Sequence, residues 1–154
     1  TIANCSISGN NSYGVDLDGS SGQCDGNTIA NCSISGNNSR GVYLYGWNGE
    51  CNGNRVHGNQ ISKNAGTGVY LYSADGGNRV EANNVWGTTG GTSYGIRTLY
   101  TTDNFILKNT CVGHTNNFAL SGSDVFGPEV TGSGVLSSAG DESHPWANFS
   151  QGEP

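Results

Sequence analysis

Apolar residues in this chain come singly or in short groups, and the units they punctuate recur: Thr1 to Ser12 returns letter for letter as Thr28 to Ser39. A step of 27 residues, from position 1 to position 28, lies in the range of solenoid repeats. Aligned on that unit, coils begin at Thr1, Thr28, Arg55, Arg79 and Phe105. Ile2, Ile29, Val56, Val80 and Ile106 then form one apolar row, and Ile7, Ile34, Ile61, Val85 and Cys111 a second. The third row, Val15, Val42, Val69 and Ile96, runs beside Leu17, Leu44 and Leu71 with the period of two that marks a strand. Gly14, Gly41, Gly68 and Gly95 precede it. Three inward rows predict three short strands per coil. The expected fold is therefore all-β: a parallel β-helix of about five three-stranded rungs with an irregular C-terminal cap, right-handed because parallel crossovers favour that hand.

Between the strands stand columns of one polar type, Asn27, Asn54, Asn78 and Asn104 at one corner and Asn59, Asn83 and Asn109 at another. They predict amide ladders, with asparagine itself taking the left-handed turn conformation. From Ser121 the periodicity stops and Pro128, Pro145, Trp146 and Phe149 appear. Residues 1–120 thus read as coils and 121–154 as a cap, with Trp146 and Phe149 folded over the last rung and 137–142 solvated. No comparable cap precedes Thr1. The expectation is an open strand edge that stacks head to tail on another copy or partner, or a chain that is a fragment.

Five cysteines fall as Cys5 and Cys32, Cys24 and Cys51, and Cys111. The first two pairs share the repeat step, and strands about 4.8 Å apart bring equivalent Cα atoms within disulfide range. Staples Cys5 to Cys32 and Cys24 to Cys51 are expected on that ground, in an oxidising compartment. Four cysteines allow three connectivities, and small buried thiols are the alternative.

Units such as Asn54-Arg-Val-His-Gly-Asn-Gln-Ile61 followed by Gly68-Val-Tyr-Leu71 resemble the repeats of the pectin-lyase-like superfamily over about residues 1–120. The tail, with Asp124-Val-Phe-Gly-Pro128 and His144-Pro-Trp-Ala-Asn-Phe149, resembles the ending of bacterial secreted right-handed β-helix repeat proteins. The resemblance implies a secreted or cell-surface protein. Lyases and epimerases of that superfamily use carboxylates, often with calcium, and a basic or aromatic residue that moves the proton. The Asp-Pro-His-Glu motif of alginate epimerases is absent, since the prolines are Pro128, Pro145 and Pro154, and so is the adjacent aspartate pair of polygalacturonases. Asp16, Asp18 and Asp25 give way one rung on to Tyr43, Tyr45 and Asn52, which reads as a solvated acidic face. His57, His114 and His144 lie far apart, with His57 outward near Glu81. No catalytic residue, metal ligand or cofactor is assigned.

The formal net charge of -6, with six Lys plus Arg, argues against nucleic acid and anionic lipid as partners. No run reaches the 18 or more apolar residues of a membrane span. Five Asn-x-Ser sequons, at Asn4, Asn10, Asn31, Asn37 and Asn148, make Asn4 and Asn31 candidates for glycosylation. The least ordinary feature is aromatic. Tyr43 and Tyr45 align with Tyr70 and Tyr72 at the alternate positions of the Val and Leu strand, so they should face outward, flanked by Trp47, with Arg97 continuing the Tyr43 column. Outward aromatic rows suit a polysaccharide or another subunit, while plain cross-strand stacking is the structural alternative. The expected function is a non-catalytic structural or adhesive module. A polysaccharide-active enzyme of lyase or epimerase type is the second reading.

Overall fold

The computed structural model describes residues 1–87, 93–120, 123–132 and 144–151. Its strands are β1 (Ile2–Ala3), β2 (Ser6–Ser8), β3 (Val15–Asp18), β4 (Thr28–Ala30), β5 (Ser33–Ser35), β6 (Val42–Tyr45), β7 (Arg55–His57), β8 (Gln60–Ser62) and β9 (Val69–Tyr72). They continue as β10 (Arg79–Glu81), β11 (Asn84–Trp86), β12 (Tyr94–Leu99), β13 (Thr102–Leu107), β14 (Thr110–Val112), β15 (Asn116–Ala119), β16 (Ser123–Phe126), β17 (Glu129–Thr131) and β18 (Asn148–Gln151). Through β17 every third strand joins the same parallel sheet, and β18 inserts between β14 and β17. The orders are β1-β4-β7-β10-β13-β16, then β17-β18-β14-β11-β8-β5-β2, then β15-β12-β9-β6-β3.

Register follows the repeat: Ile2 pairs with Ile29, Ile29 with Val56, and Val42 with Val69. Each sequence row is consequently a spatial row. Ile29, Ile34, Val42, Leu44, Val56, Val69, Leu71, Val80, Val85, Ile96, Ile106 and Cys111 are fully buried in one core that runs the length of the stack. Burying each such aliphatic side chain stabilises by about 1.5–3 kcal/mol.

The corners hold the amide ladders. Asn54 Oδ1 accepts from the backbone N of Asn27 at 2.8 Å, and Asn54 Nδ2 donates to Asn78 Oδ1 at 3.1 Å and to the Cys24 carbonyl at 2.8 Å. Asn59, Asn83, Asn109 and Asn148 form the second ladder, and Asn10, Asn37 and Asn64 a third. Apart from Asn10 and Asn27 in the first coil, these amides are buried inside the coil and hydrogen-bonded, as buried polar groups require. The left-handed turn conformation falls elsewhere than expected. The residue before the ladder position adopts it along the coils, as at Gly53 (φ 60), Gly77 (φ 78) and Asp103 (φ 58) in one column and Asn31 (φ 53), Ala82 (φ 55) and Lys108 (φ 57) in another, though not Ala147 before Asn148 in the tail. The ladder asparagine keeps an ordinary φ because its amide, rather than its backbone, serves the corner.

Beyond residue 120 the tail adds β16 to the first sheet and β17 and β18 to the second. Phe149 lies within β18 opposite Thr110, and Trp146 is partly exposed. Residues 137–142 lie outside the described residues.

Candidate functional site

The third sheet positions the aromatic face. Along β6 and β9 the inward residues Val42, Leu44, Val69 and Leu71 are buried, so the intervening tyrosines project from the other side of the sheet. Gly41 lets this sheet close on its neighbours: a Cβ there would stand 2.6 Å from both the Gly68 carbonyl oxygen and Ile61 Cγ2. Two outer columns result, Asp16, Tyr43, Tyr70, Arg97 and Asp18, Tyr45, Tyr72, Leu99.

The structure brings the six expected contact residues together, in two unlike groups. Tyr43 and Tyr70 stack with ring centres 5.5 Å apart, and the Arg40 guanidinium lies over both at 4.1 and 4.8 Å. Arg97 covers Tyr70 from the next coil at 5.2 Å and Tyr94 at 4.6 Å. Tyr70 is only 5% exposed as a result, which corrects the expectation that it offers a free outward face. Burial pushes the phenols of Tyr43 and Tyr70 above their usual range, so both stay neutral at physiological pH.

The second group is open. Tyr45 and Tyr72 are half-buried with ring centres 5.6 Å apart, and Tyr72 also meets Trp47 at 5.9 Å and Tyr100 at 5.6 Å. Trp47 is 45% exposed and Tyr100 65%. The sequence reading had not assigned Tyr13 and Arg40 to this face. They directly precede Gly14 and Gly41, and that shared offset was the signal that could have placed them.

Asp16 and Asp18 end the two columns. Burial, and then the neighbouring Asp18, push the Asp16 carboxyl up, while hydrogen bonds from Ser20, including its backbone N at 2.8 Å, hold Asp18 down. Among the described residues no three His, Cys, Asp or Glu side chains gather as metal ligands. His57 pairs in register with Glu81, yet the Glu81 carboxylate engages Arg55, Arg79 and Lys108. Burial lowers the pKa of His114, whose Nδ1 has no partner.

All five cysteines are free thiols, so neither expected staple, Cys5 to Cys32 or Cys24 to Cys51, is formed. The reason is directional. Cys5 Sγ turns to the Ala3 carbonyl at 3.1 Å and Cys32 Sγ to the Ala30 carbonyl at 3.2 Å, the same contact one coil apart. Parallel side chains do not present the dihedral near 90° of a disulfide. Cys24 and Cys51 each accept from an amide of their own coil, Asn27 at 3.5 Å and Asn54 at 3.3 Å. Of the sequons, Asn37 and Asn148 are buried in ladders, whereas Asn4, Asn10 and Asn31 are exposed, with the Asn10 amide donated to Asn37.

A family model described as a right handed beta helix region matches residues 1–142. No curated protein and no solved structure matches the chain.

Proposed function

We propose that this chain, which belongs to the right-handed β-helix family, is a secreted or cell-surface module that holds a glycan on its third sheet without transforming it. One observation carries the reading: Trp47, Tyr72 and Tyr100, from three successive coils, form a continuous, largely open aromatic row with ring contacts of 5.9 and 5.6 Å. Coils repeat about every 4.8 Å along the stack, close to the advance of an extended pyranose chain. Successive sugar faces can then meet successive rings, while phenol and indole edges supply hydrogen bonds. Electrophoresis of the full chain through gels containing polygalacturonate, xylan or a mixed-linkage β-glucan tests this reading. Retardation is expected in at least one gel, and at least tenfold weaker affinity for the Tyr45→Ser, Tyr72→Ser double variant. Unretarded migration in all three gels, or a folded double variant that binds equally well, would overturn it.

A second reading, a polysaccharide-active enzyme, draws on Asp16 and Asp18. They continue the same columns, and their environments drive the two carboxyls apart, the condition for dividing acid and base work. Incubation with uronate polymers distinguishes the readings. Unsaturated products formed with turnover would replace binding by catalysis.

A further inference from the structure

The first sheet carries another aromatic surface, on a different side of the stack from the tyrosine columns of the third sheet. Phe105, Val125, Phe126 and Trp146 account for four of the seven large apolar side chains left exposed among the described residues. All four line one groove of about 420 Å³, together with Arg79. Such clustering distinguishes a contact site from scattered surface apolar residues.

Arg79 lines this groove and belongs to a basic cluster beside it. Arg55, Arg79 and Lys108 reach the single Glu81 carboxylate at 3.5, 2.6 and 3.8 Å. Three cations share one anion, so positive charge is left over in a chain whose formal net charge is -6. Arg79 bonds Glu81 through Nε, which leaves the Nη side of its fork for another acceptor. Its guanidinium lies 5.8 Å from the Phe105 ring centre, and Lys108 Nζ lies 4.3 Å from that of Trp146. The cations and the rings thus form one surface.

We propose that this groove binds a small aromatic carboxylate, with its ring against Phe105, Phe126 and Trp146 and its carboxylate on Arg79 and Lys108. The volume lies within the ~300–1,000 Å³ of small-molecule sites, whereas a folded partner would need about 800 Å² from each side. Phe and Trp faces favour an offset or edge-on ring. A guanidinium fork matches a carboxylate in shape and charge, and the apolar floor lowers the local dielectric that would otherwise screen the pair. A neutral ring would leave the surplus charge unanswered, and an aliphatic acid would forgo the ring contacts.

Calorimetric titration of the full chain with 4-hydroxycinnamate and with its methyl ester tests the site. The acid is expected to saturate one site per chain, and the ester to bind at least tenfold more weakly, a comparison that needs no mutation. Arg79→Gln should weaken the acid at least tenfold and leave the ester unchanged. Tyr45→Ser should alter neither, and circular dichroism verifies that both variants are folded. The proposal is overturned by absence of saturation up to about 10 mM, by equal affinity for acid and ester, or by acid binding that is lost in Tyr45→Ser and unchanged in Arg79→Gln.

Discussion

Asp124 Oδ1 accepts from both the backbone N and the side-chain Nδ2 of Asn104, at 3.2 and 3.0 Å, and so occupies the place that an asparagine carbonyl holds in each preceding coil. Its other oxygen accepts from Thr101 Oγ1 at 2.6 Å. The last step of this ladder needs an acceptor, which a carboxylate oxygen supplies here and the amide oxygens of Asn148 and Asn64 supply in the other two ladders.

Asp124→Ala should therefore strand donors of Asn104 and the Thr101 hydroxyl, at a cost of about 1–3 kcal/mol for each group left unsatisfied. Asp124→Asn keeps the carbonyl acceptor, and the Thr101 hydroxyl can rotate to accept, so the loss should stay below ~1 kcal/mol. Urea unfolding of the three proteins measures the contrast. Equal stability of Asp124→Ala and the parent would remove the terminal role.

Gly41→Ala introduces a Cβ 2.6 Å from a backbone oxygen and 2.6 Å from Ile61 Cγ2. Overpacking between stacked coils should cost about 1–3 kcal/mol. Gly22→Ala, with nothing within 4 Å of its Cβ, should leave the unfolding midpoint nearly unchanged. A neutral Gly41→Ala would mean that the coils separate more readily than their register implies.

Tyr70 and Tyr45 should respond differently to the same substitution. Tyr70 is 5% exposed beneath two guanidinium groups, so Tyr70→Ser should cost about 3 kcal/mol or more. Tyr45→Ser lies on the open group and should cost less than ~1 kcal/mol. Thermal unfolding decides, and similar losses at both positions would dissolve the distinction between the two groups.

Thiol reactivity should follow burial. Cys5 is exposed, whereas burial raises the pKa of Cys24, that of Cys51 to about 12, and that of Cys111 well above the usual thiol value. Because the thiolate is the nucleophile, iodoacetamide at pH 8 should label native Cys5 first and leave Cys51 and Cys111 unmodified until unfolding. Peptide mapping without reductant reads the outcome. Recovery of Cys5 linked to Cys32, or of Cys24 linked to Cys51, would show that oxidation turns these side chains toward each other.

Glu81 predicts an acid dependence. The hydrogen bond from Arg79, followed by the charges of Arg79, Lys108 and Arg55, holds its carboxyl below the usual range. A depressed folded pKa contributes stability that is fully present above the unfolded value and lost as pH falls through the folded one. The stability difference between the parent and Glu81→Gln should thus stay constant from neutral pH down to about pH 5 and shrink progressively as pH falls below the unfolded value of roughly 4.3. Urea unfolding from pH 7 to pH 3 measures it, and a difference constant across that range would exclude the linkage.

By itself the sequence determined the coils. In a parallel stack with one register, residues one repeat apart are neighbours in space, so the rows through Ile29 and Ile34, the ladder through Asn54 and the outward side of Tyr43 and Tyr45 are written as columns of letters. The period of two in Val42-Tyr-Leu-Tyr45 assigned inside and outside without further information. Contacts that cross between columns were decided only by tertiary structure. The offset before Gly41 places Arg40 in a column with Tyr13, Thr67 and Tyr94, but only packing shows that its guanidinium covers Tyr43 and Tyr70. The thiol directions of Cys5 and Cys32 depend on rotamers, which spacing leaves open. The groove of Arg79, Phe105, Phe126 and Trp146 joins coils to a non-repeating tail, where no period relates one residue to another, so its aromatic floor and the basic cluster beside it meet only once the chain has folded.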